Sequence, residues 1–167
     1  MGDLYNPHVH PSLVRVAQLF GCMVWQETNH TTSLATIEAF ELEATLSLLT
    51  PDVPPLTQLQ VHNVLGIYFF IRRMWAEGSE QVRLASEVAQ RHDLRFASSP
   101  ADLWNSLLEL SAEDEERVCA LSHLLYINID RQLVLGIPSS LNVEYEQDFQ
   151  SISVSFTGHH MLQSPLY

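Results

Sequence analysis

Few stretches of this sequence carry reactive side chains at a spacing that chemistry can use. His8-Val9-His10 has the form that sets two imidazoles on one metal, a spacing that converges on a strand inside a barrel. Here it lies in a polar arm flanked by Pro7 and Pro11, so a solvated arm is the preferred reading. His159-His160, close to the last residue, is read the same way. Glu113, Asp114, Glu115 and Glu116 offer the carboxylates that a hard cation takes. Successive helical positions point apart, however, so the run reads as a solvated helix start. His62 and His123 sit among apolar residues, where a lone histidine is a hydrogen-bonded core or boundary residue. The sequence contains no Gly-x-Ser-x-Gly, no Gly-rich phosphate loop and no paired Cys/His arrangement.

Asp130-Arg131 is the pair that demands an explanation. It interrupts an apolar helix pattern, with Leu133-Val134-Leu135 just beyond it and a Gly136-Ile137-Pro138 stop behind. A charge half buried in such a run needs a partner. Neighbours on a helix diverge, so each residue should pair with another element; Arg72 or Arg73 are the expected partners of Asp130. The preferred reading is a structural ion pair that fixes helix register, with no catalytic role.

Composition narrows the function classes. The 167 residues are 46% apolar and 17% charged, with a net charge of −12. That is the make-up of a globular domain. All eight basic residues are arginine, scattered among twenty acids, which opposes direct binding to nucleic acid. Without lysine there is neither a Schiff-base amine nor a phosphate-loop lysine. Cys22 and Cys119 lie among apolar residues and are expected to be buried free thiols of an intracellular protein. The first residues lack a signal-peptide pattern, and Ile67–Ile71 is the longest apolar run, so no membrane segment is expected.

These residues must be positioned by helices. A lead-in arm (1–10) is followed by a helical domain (11–149) and a tail (150–167). Helix spacing predicts the first helix from Pro11 to about Gln26, with Gly21 either weakening it or marking close packing. A second is predicted over Ser33–Leu49, with Leu34, Ile37, Phe40, Leu42, Ala44 and Leu48 as its apolar face and Glu38, Glu41 and Glu43 mostly elsewhere. A third spans Thr57–Ala76, closed by Gly78. Ser79 caps a fourth over Glu80–His92, whose Val82, Ala85, Val88 and Ala89 allow close packing. A short helix follows at Ala101–Leu110, and Ser111, with Asp114 three residues on, caps the long helix that carries Asp130. Ser151–Phe156 alternates as a strand does. The expected fold is all-α, about six antiparallel packed helices with a short strand-like tail.

The same landmarks resemble a known family. Glu116-Arg117, an apolar helix, Asp130-Arg131 and then Gly136-x-Pro138 are similar to the middle homology region of fungal zinc-cluster transcription factors. His10-Pro11-Ser12-Leu13 with Gly21 resembles the opening of that region in basidiomycete members, and Leu56-Thr57-Gln58-Leu59-Gln60 one of its helix starts. Gly78, Ala85, Ala89 and Asp93-Leu94 resemble a further segment. The chain departs from the pattern in having only Arg117 where two or three arginines are usual, and Ile137 where the turn carries arginine. The six-cysteine, two-zinc DNA-binding part is not in this sequence, so the resemblance implies no cofactor here and contact with DNA only through a separate domain. It implies a nuclear regulatory domain that answers to protein partners or a small effector by helix repacking, with Glu116, Arg117, Asp130, Arg131, Gly136, Pro138, Arg72 and Arg73 as structural or regulatory residues. The alternatives are a general helical interaction scaffold and, least favoured, a small metal-dependent enzyme.

Overall fold

The computed structural model describes residues 9–96, 111–148 and 150. Among these residues all regular structure is helical: α1 (Pro11–Asn29), α2 (Ala35–Leu48), α3 (Pro55–Ile71), α4 (Trp75–Arg91), α5 (Ala112–Leu135) and a short α6 (143–148). The all-α expectation holds. The helix expected at Ala101–Leu110, the strand-like Ser151–Phe156 and the tail lie outside the described residues. The chain forms two compact units, Met1–Val88 and Ala89–Tyr167.

In the first unit, α1 packs on α2 and α3. Pro11 sits at the first helical position, where a missing N–H costs nothing. His10 caps the helix: its Nδ1 accepts from the Ser12 amide at 3.3 Å and lies 2.8 Å from the Ser12 hydroxyl. The core joins Val16, Leu19 and Met23 of α1 to Val61, Leu65, Tyr68 and Phe69 of α3. Burying each such side chain contributes about 1.5–3 kcal/mol.

α3 ends earlier than its apolar pattern suggests. Arg73 adopts a left-handed conformation (φ 61°). The Met74 and Arg73 amides donate back to Phe69 and Phe70 carbonyls at 2.8 and 3.0 Å, the paired bonds of a Schellman stop. Gly78 and Ser79 therefore lie inside α4, against the expectation that they separate two helices. Gly78 has a different role. A Cβ there would stand 2.5 Å from the Phe70 ring, so the glycine admits the ring against α4. The small residues predicted for this helix, Val82, Ala85, Val88 and Ala89, are all buried. Gly21 is exposed with open space around it, which excludes close packing as its reason.

α2 keeps part of its predicted face, with Leu42 packed against the core and Leu34, Ala44 and Leu48 half-buried, but the stripe that lies fully inward is a different one. Glu38 and Glu41 are each 6% exposed, whereas Ile37 and Phe40 are 48% and 58% exposed. The inward line is Glu38, Glu41 and Thr45, one helical stripe of polar side chains.

The second unit is built on α5. Ser111 caps it as expected, its Oγ accepting from the Asp114 amide at 3.2 Å and donating to the Asp114 carboxylate at 2.7 Å. Ala120, Leu121, Leu124, Leu125 and Ile127 form the buried stripe. Gly136 ends the helix in the left-handed region (φ 66°), which is why glycine stands there. Tyr145 of α6 donates its hydroxyl to the Ala89 carbonyl at 3.0 Å, and Arg95 lies 4.9 Å above its ring. Arg95 also reaches Asp93 and Glu144 at 2.8 and 3.0 Å.

Candidate functional site

The most concentrated polar chemistry lies where α1, α2 and α3 meet, around Glu38. Its Oε1 accepts from the Tyr68 hydroxyl and from Arg72 Nε, both at 2.8 Å. Its Oε2 accepts from Arg72 Nη2 at 2.5 Å and from Gln26 Nε2. Four donors thus fill the four lone-pair positions of one buried carboxylate. Two helices supply them to Glu38 on α2: Gln26 comes from the last turn of α1, Tyr68 from α3 and Arg72 from the residue that caps α3. The Schellman stop at Arg73 holds Arg72 at that helix end. The remaining guanidinium nitrogen, Nη1, donates outward to Glu27 at 2.7 Å.

The electrostatics follow from this wiring. Burial alone would raise the Glu38 pKa, but hydrogen bonds from Arg72, Tyr68 and Gln26, with the Arg72 charge, outweigh it and hold the carboxyl below its usual range. Burial, then the bond to Glu38, pushes the Tyr68 phenol up to about 12. The bond to Glu38 is also the main reason the Arg72 guanidinium is held more firmly charged than usual. The cluster is a fixed ion pair with a neutral phenol donor. A carboxylate so fully occupied has no lone pair left for a proton or a metal.

One side of this cluster is open. A cleft of about 350 Å³ is lined by Gln26, Glu38, Tyr68 and Arg72, by Thr31 and Thr32 from the α1–α2 turn, and by Ala35, Ala39 and Leu42 of α2. A second ion pair lies further along α2. Arg15 of α1 holds the buried Glu41 by both oxygens at 3.1 and 3.2 Å and lies 5.7 Å over the Phe40 ring.

The residues singled out in the sequence fall into different places. Arg72 belongs to the Glu38 cluster, and its partners are Glu38 and Glu27, not Asp130. Arg73 is exposed and supplies the left-handed helix stop. Asp130 is exposed, which corrects the half-buried ion pair expected of it: a carboxylate in water needs no protein partner. Arg131 is the buried member. Its Nη2 donates to the Pro138 carbonyl at 2.8 Å and to Asn128 Oδ1 at 3.3 Å, and burial lowers its pKa. Asn128 Oδ1 also accepts from the Ser140 amide and hydroxyl at 3.0 and 2.9 Å, so the chain after Gly136 is laced back onto α5. Glu116 is exposed, and Arg117 pairs with Asp114 one turn earlier.

His62 is buried and bonded to Gln81 Oε1 through Nδ1 at 2.8 Å, the core histidine expected of it; burial lowers its pKa despite that bond and nearby Glu80. His123 is exposed. Both cysteines are free, but Cys119 is exposed and Cys22 half-buried, so the expectation of two buried thiols fails. Among the described residues no three His, Cys, Asp or Glu side chains group as metal ligands, and no helix is long and apolar enough to cross a membrane.

Sequence reasoning missed Glu38, Gln26 and Tyr68. A signal for Glu38 was present: Glu38, Glu41 and Thr45 repeat at i, i+3 and i+7 in a helix whose other positions are largely apolar.

Fold and site together define an all-helical protein with a buried ionic cluster beside an open cleft. No family model matches the sequence, and comparisons with curated proteins and with solved structures found no match.

Proposed function

We propose that the chain is a regulatory module that takes a small effector into the cleft beside Glu38 and passes the event on through the packing of α1, α2 and α3. One observation carries this reading: the wall of the cleft is the same four-donor cluster that ties those three helices together. An occupant touching Tyr68 or Arg72 therefore acts on the joint itself, and a ligand shifts a packing equilibrium only through such differential contact. The volume, about 350 Å³, suits a small molecule. The resemblance to the middle region of fungal zinc-cluster factors supplies the setting, a nuclear regulator that restrains or transmits activation while a separate domain reads DNA.

The test joins the full chain between a heterologous DNA-binding domain and an activation domain and reads a reporter gene. Ala39→Trp, which fills the cleft and leaves the Glu38 donors in place, is expected to change output several-fold with the melting temperature held. Unchanged output from a folded variant refutes the reading. The second reading, a helical interaction scaffold, is favoured by the exposure of Ile37 and Phe40 on the outer side of α2. It predicts the reverse pattern, with Phe40→Ser altering output and Ala39→Trp silent.

A further inference from the structure

We infer that the exposed face of α5 is a docking surface for a basic amphipathic helix of a partner protein, which sets apolar residues on Tyr126, Ile129, Leu133 and Val134 and an arginine or lysine on Asp130. This surface lies in the second unit and is independent of the cleft beside Glu38.

α5 buries one stripe in its own unit, through Leu121, Leu124, Leu125, Asn128 and Arg131. Its solvent side is apolar too. Leu133 and Val134 are 78% and 72% exposed, Tyr126 55% and Ile129 38%. With Asp130 they stand at i, i+3, i+4, i+7 and i+8, one continuous stripe on the outer side of the helix. Scattered exposed apolar residues need no explanation, but a contiguous stripe marks a surface for another protein. The charges on the stripe decide what covers it. Asp130 is exposed within the apolar patch. Toward the helix start the same line runs through His123 and Cys119 to the exposed Glu116 and Glu115. Glu116 stands about 21 Å along the axis from Asp130. No arginine shares the line: Arg117 is turned to Asp114, Arg131 is buried, and the chain has no lysine. A purely apolar partner would strip water from Asp130 and return nothing. A helix with arginine or lysine in that place pairs the carboxylate instead, and further basic residues toward one end meet Glu115 and Glu116, which fixes its direction. A second copy of this chain is a poor occupant. Its own α5 stripe carries the same acids and no arginine, so a two-fold pairing centred on the apolar patch sets Asp130 against its counterpart.

The probes are three fluorescein-labelled peptides: one of leucine and lysine at amphipathic helical spacing, one with glutamate replacing each lysine, and one with serine replacing each leucine. Each is titrated with the full chain and followed by fluorescence anisotropy. The leucine–lysine peptide is expected to bind at micromolar strength, at least about tenfold tighter than either control. Leu133→Ser combined with Val134→Ser should weaken it by about tenfold or more, and Asp130→Asn by about three- to tenfold. All three positions are exposed, so these variants keep the fold. Phe40→Ser, which removes an exposed apolar residue of α2, should leave the affinity unchanged. Equal binding of the glutamate or the serine peptide overturns the partner chemistry, as does an Asp130→Asn chain that binds at full strength. Full affinity in the doubly substituted chain, or a loss in Phe40→Ser, places the peptide elsewhere and overturns the surface. Sedimentation equilibrium completes the test: self-association abolished by the same double substitution makes a second copy the occupant and overturns the inference.

Discussion

Replacing Glu38 is the most searching test of the cluster, because its carboxylate on α2 is the common acceptor of donors from α1 and from α3 with its cap. Glu38→Ala leaves the Arg72 guanidinium, the Tyr68 hydroxyl and the Gln26 amide without that acceptor. Breaking a buried ion pair costs about 3–5 kcal/mol. Arg72 keeps about a quarter of its side chain in water, which places the cost near the lower end, about 3 kcal/mol. For a chain of 167 residues that corresponds to a fall in melting temperature of roughly 6–12 °C. Tyr68→Phe removes one hydrogen bond to a charged acceptor and should cost about 1.5 kcal/mol. The double variant should cost less than the sum, because in Glu38→Ala the phenol has already lost its acceptor. Urea unfolding followed by far-ultraviolet circular dichroism measures all three. A Glu38→Ala loss below about 0.5 kcal/mol would mean a solvated carboxylate and would refute the reasoning. Strict additivity in the double variant would show that Tyr68 and Glu38 share no bond.

The same cluster fixes the sign of two pH effects. The Glu38 carboxyl is held below its ordinary 4.5, so the folded state binds its proton less readily than the unfolded chain. Its contribution is complete above that value and is lost as pH falls through the folded-state pKa. Tyr68 runs the other way. Raised from 10 to about 12, it contributes fully below pH 10 and loses that contribution as pH climbs toward about 12. Glu38→Gln should flatten the acid limb of the stability profile. Absorbance titration should find one tyrosine that ionises late, and Tyr68→Phe should remove it.

Two further pairs of substitutions separate positions that look alike in sequence. Gly78→Ala drives a methyl into the Phe70 ring and should destabilise by about 1–3 kcal/mol, whereas Gly21→Ala, exposed in open space on a helix, should stabilise by about 0.5–1 kcal/mol; equal signs would refute the close approach of α3 to α4. Asp130→Asn should change stability by no more than about 0.5 kcal/mol because the carboxylate is exposed, while Arg131→Ala removes a buried donor to Pro138 and Asn128 and should cost at least about 2 kcal/mol by urea unfolding. A large effect of Asp130→Asn with a small one of Arg131→Ala would reverse the assignment.

What was legible in the sequence was local. The Ser111 cap, the Gly136 stop and the small-residue stripe of α4 each depend on residues within a turn or two of one another, and each stands where the pattern placed it. α2 shows where local pattern fails. Its apolar residues surround the helix, so hydrophobicity does not choose a face, and the natural guess put Ile37 and Phe40 inward. What accompanies Glu38 and Glu41 inside is an arginine for each, 34 and 26 residues away along the chain. No window of helical length contains both partners. Arg72 directly follows the longest apolar run, Ile67–Ile71, but its expected acid was Asp130 in α5, which looked buried from its neighbours. Apolar neighbours in sequence do not bury a helical residue, since positions one and two apart lie on different faces. Asp130 and Arg131 are that case: one faces water, and the next is buried against Pro138. The absence of lysine gains a reading from the same comparison. A planar fork fits a carboxylate by two nitrogens and keeps its charge when half buried, where an ammonium would tend to lose it. Arg72 on Glu38 uses that property directly, with its third nitrogen donating to Glu27.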